Sequence, residues 1–415
     1  MKTFYKLSVI VILIFIGCEL QPADKEPGPI TSNPIDLSAA SEKVVSASND
    51  FGIDIFRLLL NDEPADKNIF ISPVSISLAL AMTYNGANNA TEDSMAYALR
   101  MQDLTPEEIN TAYKELIAGL TTADENVIMD IANSIWYRQG FSVEQDFLDI
   151  NSEYYKSEVQ GLDFSQPEAV DIINNWVSAN TNNKIPTIIE QISPLHVMFL
   201  INAIYFKAIW TLQFDPEATR DDFFRVAAGD FKDISMMNYQ DTINYFENED
   251  FQAVELDYSA GNFSMVVMLP KGNKTPEEIW RKATPESWDS WMGSFVKREV
   301  ELYLPKFTFR YEKKLNDILT AMGMGIAFTG AADFSGINPV ADLRIDYVKH
   351  KSFVEVNEEG TEAAAVTIVA IIETSINPNA PPTFRADHPF VFAIREKSTN
   401  SIVFLGKVAE PVIEE

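Results

Sequence analysis

A chain of 415 residues exceeds the usual size of one domain, so two domains and one large, intimately packed unit are both open. Hydrophobic residues make up 46%, ample for a core, while 61 acidic against 32 basic residues leave a formal charge of -29. That balance, with no run of Lys and Arg, argues against nucleic acid or an anionic membrane surface as the partner and is most simply read as solubility.

The first stretch reads as a targeting leader rather than as structure. Lys2 and Lys6 form its charged head, and residues 7–16 are apolar but too few to span a bilayer as a mature helix. It ends in Phe15-Ile16-Gly17-Cys18, which resembles the lipobox of a bacterial lipoprotein, with Phe15 where Leu is commoner. The resemblance implies removal of residues 1–17 and a lipid on Cys18 that holds the protein at a membrane. An ordinary secretory leader with an incidental cysteine is the alternative. Cys18 is the only cysteine, so the folded part has neither a disulfide framework nor a thiol nucleophile. Residues 19–38 are rich in Pro and acidic side chains and read as a flexible tether, extended in the expected division to 18–44.

The folded body is expected over 45–411. Phe51, Ile55 and Leu59 recur every four residues, a helical stripe. A short strand over 68–71 runs into Ser72-Pro73, an N-cap with proline in the first turn, and the helix continues through 74–84 to Gly86. Thr105-Pro106-Glu107-Glu108 and Thr275-Pro276-Glu277-Glu278 are capping boxes that open helices. Residues 127–137 and 199–210 are long apolar runs, read as buried strands, with an amphipathic helix over 169–179 between them. Hairpins are expected over 251–269 and 390–405, a strand over 300–309 and a short helix over 315–322. Early helices and later strands, without regular βαβ alternation, predict an α+β fold with large mixed or antiparallel sheets.

One stretch, 350–375 (HKSFVEVNEEGTEAAAVTIVAIIETS), reads in two ways at once. Phe353, Val354 and Val356 open a strand, Glu358-Glu359-Gly360 calls for a bend, and Val366, Ile368, Val369, Ile371 and Ile372 are β-branched enough for a second strand. Between them Thr361, Ala363, Ala365 and Thr367 fall two apart, on one face, so neither bulk nor charge obstructs that face, while Glu362 points the other way. Pro378, Pro381 and Pro382 then suggest an exposed loop. The segment is expected to be a loop in one state and an inserted strand in another.

Six motifs in order carry a resemblance to the serpin family over the whole body: 68–91 (NIFISPVSISLALAMTYNGANNAT), 202–210 (NAIYFKAIW), 304–309 (LPKFTF), 332–337 (ADFSGI), 356–365 (VNEEGTEAAA) and 388–392 (HPFVF). Ala208 stands where glycine is usual. The resemblance implies three β-sheets, eight or nine helices and an exposed reactive loop at about 358–384. It also implies a monomer without cofactor or metal that inhibits serine-type endopeptidases as a suicide substrate. The hinge would be Glu358, Glu359, Gly360, Thr361, Glu362, Ala363, Ala364 and Ala365. Ser72, Ser75, Asn202 and His350 match the family's polar cluster beneath the opening point of the main sheet. Trp210, Lys306 and Glu358 match the group at its top. Counting forward from Glu358 places the scissile bond between Thr374 and Ser375, with Glu373 and Ile372 as alternatives, whereas counting back from Pro389 places it a few residues later, within 372–378. No Lys or Arg lies between Ser352 and Phe384, so elastase-like or subtilisin-like targets are expected over trypsin-like ones, with papain-like cysteine proteases as a further class.

Plainer roles are available for each. His350 could be a satisfied core histidine, Lys306 with Glu358 a surface ion pair, and Trp210 a packing residue. An enzyme is disfavoured, since no GxSxG, Walker loop or HExxH occurs. A non-inhibitory serpin (carrier, storage or chaperone) is the main rival, opposed by the unbroken small-residue hinge. A lipid-anchored solute-binding protein would share the tether but has no use for this loop.

Overall fold

The computed structural model describes residues 33–226, 229–361 and 381–414. Cys18, Glu362, Ala363, Ala364, Ala365, Ile372, Glu373, Thr374 and Ser375 lie outside the described residues.

The body begins earlier than the division at residue 44 predicts. Helix Ala39–Asp62 is capped by Ser38, whose Oγ accepts from the Ser41 amide, and Ser41 and Val44 are already buried. Upstream of the cap, Ile35 presses against Gly119, where an added Cβ would meet Ile35 Cγ2 at 2.5 Å. The Ile35 amide donates to Ser398 Oγ at 2.9 Å. The acidic, proline-rich composition hides two apolar anchors, Ile35 and Leu37, that pack on the core.

Ser72 caps helix Pro73–Tyr84, and both expected capping boxes close at Thr105 and Thr275. A third, at Thr284, uses Ser287 in place of Glu to open Pro285–Met292. Nine α-helices occur among the described residues, with three hydrogen-bonded sheets, an α+β fold as predicted.

The largest sheet runs in the order Ile69–Ile71, Ser401–Val408, Phe390–Glu396, Phe263–Pro270, Phe251–Tyr258, Phe231–Glu247, Val296–Pro305, Thr383–Arg385, with Arg220–Arg225 also on Phe231–Glu247. The four-stranded sheet is Gly360–Thr361, Met198–Ile209, Ile128–Arg138 and Glu158–Leu162, and the two-stranded one Phe307–Lys314 with Lys349–Val356. The strand expected over 300–309 is two. Pro305 has no N–H to continue the ladder, and Lys306 carries the chain from the largest sheet to the smallest, its amide on Ser235 O. The helix expected over 315–322 lasts only through Asn316–Leu319 and loosens into a π-helical turn, Thr320–Met324, where Gly323 takes φ 105°.

One continuous core joins the helices to all three sheets. A satellite of Trp136, Leu162, Phe164, Ile173 and Val177 lies under helix Glu168–Asn180.

Candidate functional site: a parted sheet and the strand that begins to fill it

Strands Met198–Ile209 and Lys349–Val356 each have a neighbour on one side, but no ladder joins them among the described residues. Between them lies a cavity of about 690 Å³, lined by Phe199, Ile201 and Asn202 from one strand, by Tyr347 and His350 from the approach and start of the other, and by Ile76 of the helix behind. At its upper end the chain after Lys349–Val356 doubles back. Gly360 and Thr361 pair antiparallel with Ile209 and Ala208, so the segment expected to alternate between loop and strand starts here as a strand.

The bend is built locally. Asn357 Oδ1 accepts from the amides of Glu359 and Gly360, an Asx turn that reads directly from Asn-Glu-Glu-Gly. Gly360 is demanded by contact, since a Cβ there would sit 2.1 Å from Ala208 O. Trp210 holds the bend from the other side, its indole N–H donating to Asn357 O at 3.0 Å and its amide to Glu359 O at 2.8 Å. Glu358 meets Lys306 Nζ at 2.8 Å and accepts from Thr219 Oγ1 at 2.8 Å. Burial pushes its carboxyl up, but the Lys306 ammonium and the Thr219 hydroxyl together hold it below its ordinary value. Beside it, burial and the Glu358 charge push the Glu359 carboxyl up.

Lower down, three of the four expected residues meet. The Ser72 amide donates to His350 Nε2 at 3.2 Å, Ser72 Oγ donates to Val403 O at 2.8 Å, and the Ser75 amide donates to Ser72 Oγ. Burial lowers the His350 imidazole to about 4, so it is neutral at pH 7. Since Nε2 accepts, the proton sits on Nδ1, which meets no acceptor among the described residues. Asn202 does not join them. Its amide reaches Asn133 Oδ1 at 2.8 Å on the neighbouring strand, and its own Oδ1 is buried without a partner. Asn202 and His350 thus both line the cavity, Asn202 with one buried, unpartnered acceptor.

Sequence reasoning missed Tyr258 and Thr219. Tyr258 is fully buried, stacks on Trp210 at 4.4 Å and shares a 2.8 Å hydrogen bond with Thr361 Oγ1. Nothing in the pattern of Phe251–Tyr258 announces this, because the partners come from distant segments.

The chain belongs to the serpin family: the profile described as Serpin (serine protease inhibitor) matches residues 46–411. Leukocyte elastase inhibitor from Equus caballus is 35% identical, over 89% of this chain and 100% of that protein. Among solved structures, the thermophilic serpin Tengpin in the native state is 34% identical with a TM-score of 0.82, covering 92% of this chain and 97% of the other. Human thyroxine-binding globulin complexed with thyroxine is 30% identical with a TM-score of 0.82, covering 90% and 100%. The fold is thus the serpin fold, whose members are mostly protease inhibitors rather than catalysts, with a thyroxine-binding globulin among the similar structures.

Proposed function

We propose that this serpin is inhibitory and traps a serine-type endopeptidase by inserting its loop into the parted sheet. The protease serine attacks the carbonyl of the scissile residue, for which Thr374 is the first choice and Glu373 and Ile372 follow. The amide to Ser375 breaks, its nitrogen leaves as the new amine, and the carbonyl remains as an ester on the enzyme. Insertion then carries the acyl-enzyme away before water reaches the ester. One observation carries this reading. The hinge already pairs at Gly360 and Thr361 with the strand that borders a cavity about 690 Å³ in size. Glu362 and Ala363, Ala364 and Ala365 would continue that strand. The resemblance assigns Ser72, Ser75, Asn202 and His350 to the point where the sheet opens, and Trp210, Lys306 and Glu358 to its top. The uncharged loop favours elastase-like or subtilisin-like proteases, with papain-like cysteine proteases as a further class, and the 35% identity to leukocyte elastase inhibitor supports an elastase-like target. Incubation with pancreatic elastase or subtilisin should yield a complex stable in SDS together with a released C-terminal fragment, whose mass reports the cut bond.

A carrier role is the second reading, favoured by the likeness to thyroxine-binding globulin. Cleavage of the loop without a trapped protease would select it.

We further propose that a lipid on Cys18 holds the protein at the cell envelope, with residues from Cys18 to the start of the body as its tether. No helix of the described residues is long and apolar enough to cross a membrane. Cys18→Ala should move the protein from the membrane to the soluble fraction, and retention in the membrane would remove the anchor from this account.

A further inference from the structure

Tyr258 ends strand Phe251–Tyr258 of the largest sheet, and its backbone is stitched to the end of Met198–Ile209 by hydrogen bonds from the Ser259 amide to Ile209 O and from the Thr211 amide to Asp257 O, both 2.9 Å. The ring cannot swing. Trp210 stacks on it with planes 12° apart, and Phe206 meets it edge-on at 5.3 Å. Tyr258 is 0% exposed and Thr361 5%, and each hydroxyl has the other as its one hydrogen-bond partner among the described residues. A buried hydroxyl without a partner is costly, so the Tyr258 hydroxyl keeps its partner only while Thr361 lies in the sheet.

We infer that Tyr258 is a positioning residue, a latch whose fixed hydroxyl holds Thr361 in the sheet and sets the register from which the rest of the loop inserts. The inference rests on the inhibitory reading but is carried by the Tyr258–Thr361 bond. An aromatic cage fixes the acceptor and donor in advance, so forming the bond orders little besides Thr361 itself. A hydroxyl-bearing side chain at 361 is therefore selected over an apolar one of equal size. The second methyl of Val fills the same space, but it leaves Tyr258 unpaired.

The test compares Tyr258→Phe, Thr361→Val, Thr361→Ser and the Tyr258→Phe/Thr361→Val double variant of the full chain. In the intact protein, amide hydrogen exchange at Gly360 and residue 361 should rise about five-fold in Tyr258→Phe and in Thr361→Val, the loss of one buried hydrogen bond. Thr361→Ser should keep wild-type protection, and the double variant, with no orphaned hydroxyl, should exchange more slowly than either of those two single variants. Titrated with elastase, Tyr258→Phe and Thr361→Val should consume more inhibitor per protease trapped, again with partial recovery in the double variant. Unchanged exchange in Tyr258→Phe, or single-variant effects that multiply in the double variant, would overturn the latch. A wild-type protein that is cleaved but traps nothing would sink the inhibitory reading alone, because the exchange measurement still decides the latch.

Discussion

Two titratable groups, half-buried Asp50 and buried His350, pull the stability of this protein in opposite directions with pH. Asp50, on helix Ala39–Asp62, has one carboxylate oxygen buried without a hydrogen-bond partner. Burial, then the charges of Asp54, Glu286 and Asp289, raise its pKa from 3.8 to about 6, with Arg100 opposing. Its folded value lies above its unfolded one, so the folded state keeps a proton that the unfolded chain releases, and stability falls as pH rises from about 4 through 6. For His350 the folded value of about 4 lies below the ordinary 6.5, so stability is lost as pH falls through that same window. Asp50→Asn should therefore stabilise the protein by about 1 kcal/mol at pH 8, after discounting for solvent screening, and by nothing at pH 4. Its stability should fall more steeply than that of wild type on acidification, because the opposing Asp50 contribution is gone. Thermal midpoints of the two proteins from pH 4 to 8 check this, and an equal gain at both ends would contradict it.

At the scale of the element, the strand that starts at Gly360 and Thr361 is the part most sensitive to substitution. Thr361 is buried against Tyr258 and opposite Ala208. Thr361→Arg would force a cation into that contact at a cost of several kcal/mol, or expel the segment from the sheet. We expect an inhibitor turned largely into a substrate, measured as a rise in the number of inhibitor molecules cleaved per protease trapped. An unchanged ratio would mean that insertion does not begin at this residue. The Lys306–Glu358 pair works differently. Its lysine is about a third exposed and its carboxylate mostly buried, so the pair adds little by itself, whereas loss of the cation strands a buried charge.

Over the described residues, strands Met198–Ile209 and Lys349–Val356 belong to two separately paired sheets, and Asn202 and His350 both line the cavity between them. On the proposed mechanism the loop supplies a strand, with its hydrogen bonds and apolar contacts, to the space between them. Cutting the loop with a protease that is not trapped should allow full insertion and raise the thermal midpoint by tens of degrees, because a complete central strand adds buried area and ladder bonds throughout its length. A cut protein that melts with the uncut one would remove the driving force on which the proposed mechanism depends.

Much of this was legible in the residues themselves. Ser72, Thr105 and Thr275 announce helix starts because caps are local chemistry, and Asn357 to Gly360 announces the bend for the same reason. The apolar runs near 127–137 and 199–210 announce strands, buried on both faces only through their middles, with Ile128, Asp130 and Ile209 exposed. Of the small residues spaced two apart, Thr361 alone lies among the described residues, paired opposite Ala208. What local pattern could not carry was adjacency. Ile35 finds Gly119, Asn202 turns to Asn133 rather than to His350, and Tyr258 meets Thr361, each across a long stretch of chain. Those partners are chosen by how sheets and helices stack, and the energy that decides them is shared among many distant contacts rather than written at either residue.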